Sequence, residues 1–583
     1  MTFAVLVRSG GRAGRYGHYL AEICRGEGLV DHEVLDLDTV TTPLPELLQR
    51  FSAIVVSAGG VHRAEADALH NYVSAGGGLV LVQPSRLLAE RFGFDPADRT
   101  VNPAYVGIDR SHPITAGFDP HPVQTHVTVD LYARVPPGEA VATVWLDATT
   151  TSPHHAVTRL DVARGQVVVF HYDLPRAVAR LRHGDPDRVG SRSLGFLPYR
   201  QADLLEGHVD RSCWHLPQAE IHGRLLVNAI TAVSTAPVPR WWYYPDAAMT
   251  TLVIQDSDDD WSTKEQFDQI LASADEFEFH DTFYLMLGNR PTVLTDSDVA
   301  DLRASGHSFG IHHDALEDWA EGEDQELVIE QIVRRDVAEF ERRFGRRPLV
   351  NRNHCLVWQG YVDLARLWSE LGVRMDFNAQ GMGDAWLNYT NGSSRPLRYV
   401  DLDGTVIDTY QQPTQVFDDL SLVERLGGDP DSEAAAVADH LRSQMQAGHG
   451  PLSMQSHPVS FATYSAKFFR AVWRAARALG VQIWSAEEWA RHTLARDSST
   501  VRSQSDQRSW TVTARGIHGR STLMIPVAGT DPAPAAVVDG HRVLTHPIVI
   551  HGITYLPIPL EASEAGIVHS VTLEGDSPAL RQH

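Results

Sequence analysis

The chain has 583 residues, 43% hydrophobic and 21% charged, and its 74 Asp and Glu outnumber 50 Lys and Arg for a formal charge of −24. That balance argues against nucleic-acid or anionic-membrane binding as the main role, and the length exceeds one hydrophobic core, giving about three or four domains. Cys24, Cys213 and Cys355 lie far apart without a CxxC pattern, which excludes a disulfide framework or thiolate zinc site as the organising feature.

The opening MTFAVLVRSGG reads as a first β-strand rather than a signal peptide, and no run approaches the ~18 apolar residues of a membrane helix. A cytoplasmic protein is the expectation. Strands at Phe3–Val7, Glu33–Leu37, Ala53–Ser57 and Gly78–Val82 alternate with helices at Gly17–Arg25, Leu44–Arg50 and Ala64–Ser74. Such alternation predicts a parallel, doubly wound sheet. The order, with SAGG after the third strand and GGGLVLVQPS at the fourth, resembles the class I glutamine amidotransferase-like fold. The resemblance extends through HPITAGF at 112–118 and VVVFHYDLPRAV at 167–178, to about residue 236. In active members a nucleophilic cysteine occupies the turn after such a strand. Here that turn is Gln83-Pro84-Ser85, without a cysteine and without an evident Ser–His–acid set, so a silent scaffold or a ligand-binding domain is expected. Residues 181–222, rich in His, Arg, Asp and Pro, read as an insertion or lid, and PRWWYYPDA at 239–247 as a linker.

From 248 to 496 the β/α alternation restarts. Strands are predicted at Thr251–Ile254, Thr282–Leu287, Ser308–Ile311, Leu349–Asn351, Val373–Phe377, Thr405–Thr409, Pro451–Ser456 and Gln482–Trp484, and a long helix at Asp324–Phe344. Val328, Ile332, Val333, Val337 and Phe340 give that helix its apolar spacing. The pattern predicts a β/α barrel, complete or not, with its site at the carboxyl ends of the strands. Residues 505–583 change to short alternating runs broken by Gly, Asp and Pro, the pattern of a small β-sandwich.

The barrel's first strand runs straight into TLVIQDSDDDW, with Asp256, Asp258, Asp259 and Asp260 in five residues. Carboxylates this close repel one another unless a cation or proton sits among them; the bland reading is a solvated loop that caps the next helix. Downstream, GHSFGIHH ends in His312 and His313, NRNH spans Asn351 to His354, and LSMQSHP carries His457. Together the four segments resemble the polysaccharide deacetylase (NodB-homology, carbohydrate esterase family four) barrel. The resemblance implies Asp256 as general base, Asp258 and His312 as metal ligands, Arg352 as the arginine that orients the base, and His457 as the acid that protonates the leaving group. The family's second histidine, four residues after the first, is replaced by Leu316. Catalytic zinc keeps three protein ligands, so the third falls to His354, ahead of His313 and Glu317. Trp261, Trp319, Trp358, Asp376, Asp384, Trp386, Gln411 and Gln412 are candidates for shaping the pocket.

The resemblance implies a divalent metal, zinc first, and hydrolysis of an N-acyl (acetyl) group from an amino sugar, free or in a polymer or metabolite. Two alternatives stand beside it: a non-sugar amide hydrolase on the same barrel, and a carbohydrate- or partner-binding protein that has lost catalysis. No nucleic-acid or membrane partner is expected, and a homo-oligomer is left open.

Overall fold

The protein's structure, a computed structural model, describes residues 2–11, 14–95, 97–192, 199–316, 325–380, 387–418, 427, 429–504, 506, 508–528 and 534–574. A short, wholly apolar run suits a strand covered on both faces. β1 (Phe3–Val7) is such a run, buried throughout, and β2 (His32–Asp36), β3 (Ala53–Val56) and β4 (Gly78–Val82) join it in parallel. Phe3, Val5 and Val7 pack towards α1 (Gly17–Gly26), while Ala4 and Leu6 pack on the opposite face towards α2 (Arg63–Ser74) and α3 (Arg86–Arg91). With β5 (Tyr105–Ile108), β6 (Val123–Gln124), β7 (Glu139–Trp145), β8 (Thr151–Val162) and β9 (Gly165–Phe170), these strands form a nine-stranded sheet ordered β2-β1-β3-β4-β9-β8-β7-β5-β6.

The expectation of a parallel sheet holds for β2, β1, β3, β4 and β9; the remaining strands are antiparallel. The cause lies in the connections. Only Ala163 and Arg164 separate β8 from β9, which admits a hairpin and excludes the dozen or so residues of a parallel crossover.

The stretch expected as an insertion or lid packs, in its described part, against the next unit. Arg182, on α4 (Leu174–His183), is buried and donates to the carbonyls of Arg395 at 3.0 Å and Gln411 at 2.9 Å. Tyr199 gives its hydroxyl to the Gly360 carbonyl at 2.8 Å and accepts the Trp358 N–H at 2.8 Å.

After β10 (Arg240–Trp241) the second sheet contains β11 (Val253–Asp258), β12 (Thr282–Leu285), β13 (Ser308–Ile311), β14 (Val350–Asn351), β15 (Met375–Asp376), β16 (Leu397–Val400), β17 (Val406–Gln411), β18 (Val416–Phe417), β19 (Leu452–Ser456) and β20 (Ile483–Ser485). Its order is β16-β17-β15-β14-β13-β12-β11-β19-β18, with β20 beside β11, and all pairs are parallel except β16 with β17. Laid flat, the seven steps from β17 to β18 would span ~34 Å. The chain runs from Gln411 to Val416 in five residues, a reach of at most ~17 Å. The sheet must therefore curl, and it forms an open half-barrel: among the described residues its edge strands β16 and β18 do not pair with each other. The helices around it include Gln325–Phe344, expected from Asp324 onward, and Ala466–Ala478.

The C-terminal runs form two antiparallel sheets. One holds β10, Arg520–Pro526, Ile553–Glu561 and Ile548–Ile550; the other holds Thr500–Ser503, Ser509–Ala514, Ile567–Glu574, Ala535–Val538 and His541–Val543. Trp241, Trp510, Leu523, Ile558 and Val571 fill the core between them, so the linker contributes a strand to this unit. Trp242, Tyr243 and Tyr244 are buried against Ile254, Trp489 and Tyr555. Among the described residues no helix is long and apolar enough to cross a membrane.

Candidate metal centre

β11 is longer than the sequence suggests, because Asp256, Ser257 and Asp258 continue the ladder against Thr282, Phe283 and Tyr284. The two-residue period of a strand sends alternate side chains to opposite faces. Gln255 accepts the Trp473 indole N–H at 3.1 Å, and Ser257 donates to Asp281 at 2.8 Å, on the outer face. Asp256 and Asp258 point inward and meet Arg352, which follows β14. Its guanidinium binds both oxygens of Asp256, at 2.5 and 3.2 Å, reaches Asp258 at 3.3 Å and Thr414 at 2.9 Å, and lies over the Tyr284 ring. All of these groups are buried. Burial pushes Asp256 up to about 6 while Arg352 pulls the other way. Burial likewise opposes the charge on Arg352, and Asp256 and Asp258 overcome it, raising its pKa.

Beyond β11 the chain turns sharply. Asp260 (φ 40°) and Trp261 (φ 56°) both occupy the left-handed region, a strained choice for residues with a Cβ. The turn brings the Asp260 carboxylate 3.0 Å from His312 Nε2, 3.2 Å from His354 Nδ1 and 3.5 Å from His457 Nε2. One donor atom from each of Asp260, His312 and His354 lies within 4.8 Å of the other two. The Nδ1–H of His312 donates to the Arg352 carbonyl at 2.8 Å, which leaves Nε2 to face the cluster, the orientation that metal-binding imidazoles receive from a backbone acceptor. His354 is aimed by a second tight turn, with Cys355 at φ 53° and Leu356 at φ 57°.

The electrostatics fit a cation at this point. Although burial disfavours its charge, Asp260 is held well below the usual carboxylate range by His457, His312 and His354. Burial lowers the pKa of His354, but Asp260 and Cys355 reverse that and push it up to about 10. The site thus retains positive charge beside its carboxylate, and a metal competes with that proton. One carboxylate and two imidazoles match the donor set of a divalent metal that keeps open positions.

Of the residues expected as ligands, His312 and His354 stand in this cluster. Asp258 lies beside it, 3.9 Å from His312 Nδ1, with its other oxygen bound by the Gln455 amide at 2.5 Å. His313 faces elsewhere: it pairs with Asp336 at 3.1 Å and stacks on Trp368. Leu316 packs against the barrel core. Glu317 lies outside the described residues, as do Trp319, Asp384 and Trp386. Asp259 turns from the cluster to accept the Met286 N–H at 3.3 Å, and burial pushes it up to about 6.

His457, at the carboxyl end of β19, directs Nε2 at Asp260 and holds Asp418 through Nδ1 at 2.8 Å. Sequence reasoning did not single out Asp418; its only local signal is an acid closing the apolar pair of β18. Asp260 was in the quoted acidic run but carried no role, and Gln455 was unmarked. Trp261 lines this region, 5.0 Å from the His354 ring and under the Arg290 guanidinium. The other described pocket candidates are engaged within the fold. Trp358 is buried and donates to the Tyr361 carbonyl, and Asp376 is satisfied by Asn351, Asn378 and Tyr399. Gln411 reaches the Arg182 carbonyl, while Gln412 links Trp489 to Ser394. In the first unit Gln83, at φ 39°, makes the turn after β4. The Ser85 hydroxyl beside it is buried and has no hydrogen-bond partner among the described residues.

No family model and no curated protein matches this sequence. Solved structures resemble it at low scores. The structure described as Agd3, a novel carbohydrate deacetylase, is similar over 98% of each chain with 10% identity and a TM-score of 0.39. A Mycobacterium smegmatis protein assigned as a polysaccharide deacetylase covers 43% of this chain and 93% of its own, with 16% identity and a TM-score of 0.32. One from Bordetella bronchiseptica, assigned as a polysaccharide deacetylase of O-antigen biosynthesis, covers 39% and 90%, with 13% identity and a TM-score of 0.26. At these values the reading of function rests on the site's own geometry.

Proposed function

We propose that this chain is a metal-dependent hydrolase that removes an N-acyl group, acetyl first, from an amino sugar or a sugar-containing polymer or metabolite. The observation that carries the reading is the convergence of Asp260, His312 and His354, donor atoms within 4.8 Å, between an arginine-held pair of carboxylates and an aspartate-oriented histidine. In this reading Asp260, His312 and His354 hold the metal. A divalent ion bound there supplies positive charge that lowers the pKa of a water and polarises an acyl carbonyl.

The chain's own groups divide the proton chemistry. Of the two carboxylates on Arg352, Asp258 is nearer the cluster, with Asp256 one pleat deeper on the strand. We therefore assign proton acceptance to Asp258, fixed by Arg352 and Gln455, and assign Asp256 the counter-charge that anchors Arg352. Each role lies two residues beyond its place in the sequence reading, which has Asp256 as base and Asp258 as ligand. His457, its Nδ1 satisfied by Asp418, is left with Nε2 to protonate the departing amine. Trp261 offers a face on which the apolar side of a sugar ring can rest.

Two measurements test this together: elemental analysis of protein purified without chelator or affinity metals, and acetate release from N-acetylated oligosaccharides. About one first-row metal per chain, lost in Asp260→Ala, His312→Ala and His354→Ala, with acetate release abolished in Asp258→Asn while metal stays bound, supports the assignment. Failure to bind metal even after zinc is added and the protein dialysed overturns the hydrolytic mechanism and turns the reading to a binding protein. Metal bound equally by Asp260→Ala but lost in Asp258→Ala returns the ligand role to Asp258.

A further inference from the structure

A cavity outside the barrel lies at the carboxyl ends of the parallel strands in the first unit. Its volume is about 940 Å³, roughly the upper end of the range for small-molecule sites. Arg15 and Tyr16 reach it after β1, Ala58 to Gly60 after β3, Gln83 and Ser85 after β4, and Asp173, Arg176 and Arg180 after β9. The strand order explains the position. From β1 the chain moves to β2 on one side and then returns to β3 on the other. The loops at such a reversal diverge and leave a crevice, the usual ligand position of an open α/β sheet.

The lining selects the ligand. Three arginines line this space against two aspartates. Of those, Asp173 accepts the Arg176 N–H as the cap of α4, and burial pushes its pKa up to about 6; Asp187 is exposed. Arg15 also donates to the Leu402 carbonyl at 2.8 Å, which sets its direction from the barrel side. The Ser85 hydroxyl is buried and has no hydrogen-bond partner among the described residues, and it follows the turn at Gln83, whose φ is 39°. Gly59, at φ 143°, lets the loop after β3 approach Gly14 closely, where a Cβ would stand 3.3 Å from the Gly14 Cα. Arginine forks match the oxygen geometry of a phosphoryl group, and Tyr16, Pro186 and Leu402 leave apolar wall for a larger body.

We propose that this cavity is a binding site for a small phosphate monoester, its phosphoryl group held by Arg15, Arg176 and Arg180 with the Ser85 hydroxyl and its organic part against Tyr16 and Leu402. The site is separate from the barrel centre and does not depend on the function assigned there. Such a ligand would join the first unit to the barrel, because Leu402 belongs to the loop between β16 and β17.

The test is titration calorimetry on the full chain with inorganic phosphate, glucose 6-phosphate, adenosine monophosphate and, as the neutral control, glucose. Two variants accompany it. Arg176→Ala removes an exposed charge, and Ser85→Asp places a carboxylate in the cavity while keeping a good helix N-cap residue before α3; thermal melts confirm that both fold. The expected result is binding of at least one phosphate monoester more tightly than inorganic phosphate. Affinity should fall about tenfold or more in each variant and stay unchanged in His312→Ala. The proposal is overturned if no phosphorylated probe binds at millimolar concentration, if glucose binds as well as its phosphate, if either variant binds like the parent, or if binding disappears with His312→Ala.

Discussion

Asp418 Oδ1 and His457 Nδ1 stand 2.8 Å apart, and Asp418 Oδ2 also accepts the His457 backbone N–H at 3.0 Å. Both oxygens of the carboxylate thus engage His457, with Oδ2 also accepting the Ser465 hydroxyl at 3.3 Å, which fixes ring orientation and tautomer together. Nε2, the nitrogen that gains and gives up the catalytic proton on the hydrolase reading, faces Asp260 at 3.5 Å and the barrel mouth. On the hydrolase reading, His457→Ala should lower kcat by about 10²–10⁴-fold. Asp418→Asn, which keeps the shape and removes the charge, should lower kcat by less and move the basic limb of the pH–rate profile downward, because the imidazolium loses its counter-charge. An unchanged basic limb would show that Asp418 only packs the ring.

Metal binding should be visible without any substrate. A ligand that binds only the native state raises the melting temperature, so zinc added to chelator-treated protein should stabilise it and shift the transition upward. The shift should vanish in His354→Ala, which removes a mostly buried ring at the barrel mouth. A full shift in that variant would exclude His354 from the ligand set.

Arg352 is wholly buried and neutralises Asp256 and Asp258. Arg352→Met should cost about 3–5 kcal/mol, since two carboxylates are left in the interior without their cation. Adding Asp256→Asn should recover part of that loss, a coupling that a double-mutant cycle in urea measures directly. Strict additivity would mean that the ion pair contributes no interaction of its own.

Glu488 tests the seam between the barrel and the C-terminal sandwich. Its carboxylate accepts the Ser485 N–H at 3.3 Å and stands 3.2 Å from His518. Burial pushes its pKa from 4.5 up to about 7. A raised carboxyl pKa means that the folded state binds the extra proton, so stability is present at low pH and declines as pH rises from about 4.5 through 7. Glu488→Gln should therefore raise the melting temperature by a few degrees at pH 8 and leave it nearly unchanged at pH 4.5. An equal gain at both values would point to packing rather than ionisation.

Much of this was legible in the chain. Gly78–Val82 and Ser308–Ile311 were bounded as observed, because an apolar run between turn residues carries its own evidence. NRNH after β14 and QSHP after β19 marked Arg352, His354 and His457, since polar residues closing buried strands gather at the carboxyl end of a β/α array. The inward pairing of Asp256 with Asp258 follows from strand period, once β11 is known to extend that far.

What the sequence determined by itself was local: which segments become strands or helices, which face of each is apolar, and which strands end in polar groups, because those choices depend on neighbours within a few residues. Only the tertiary structure decided that β9 takes its place beside β4, that a left-handed turn carries Asp260 towards His312 and His354, and that Asp418 rather than an acid nearer in sequence meets His457. The partners are 52, 94 and 39 residues apart, and sheet order, not local preference, determines which distant ends of the chain share a site.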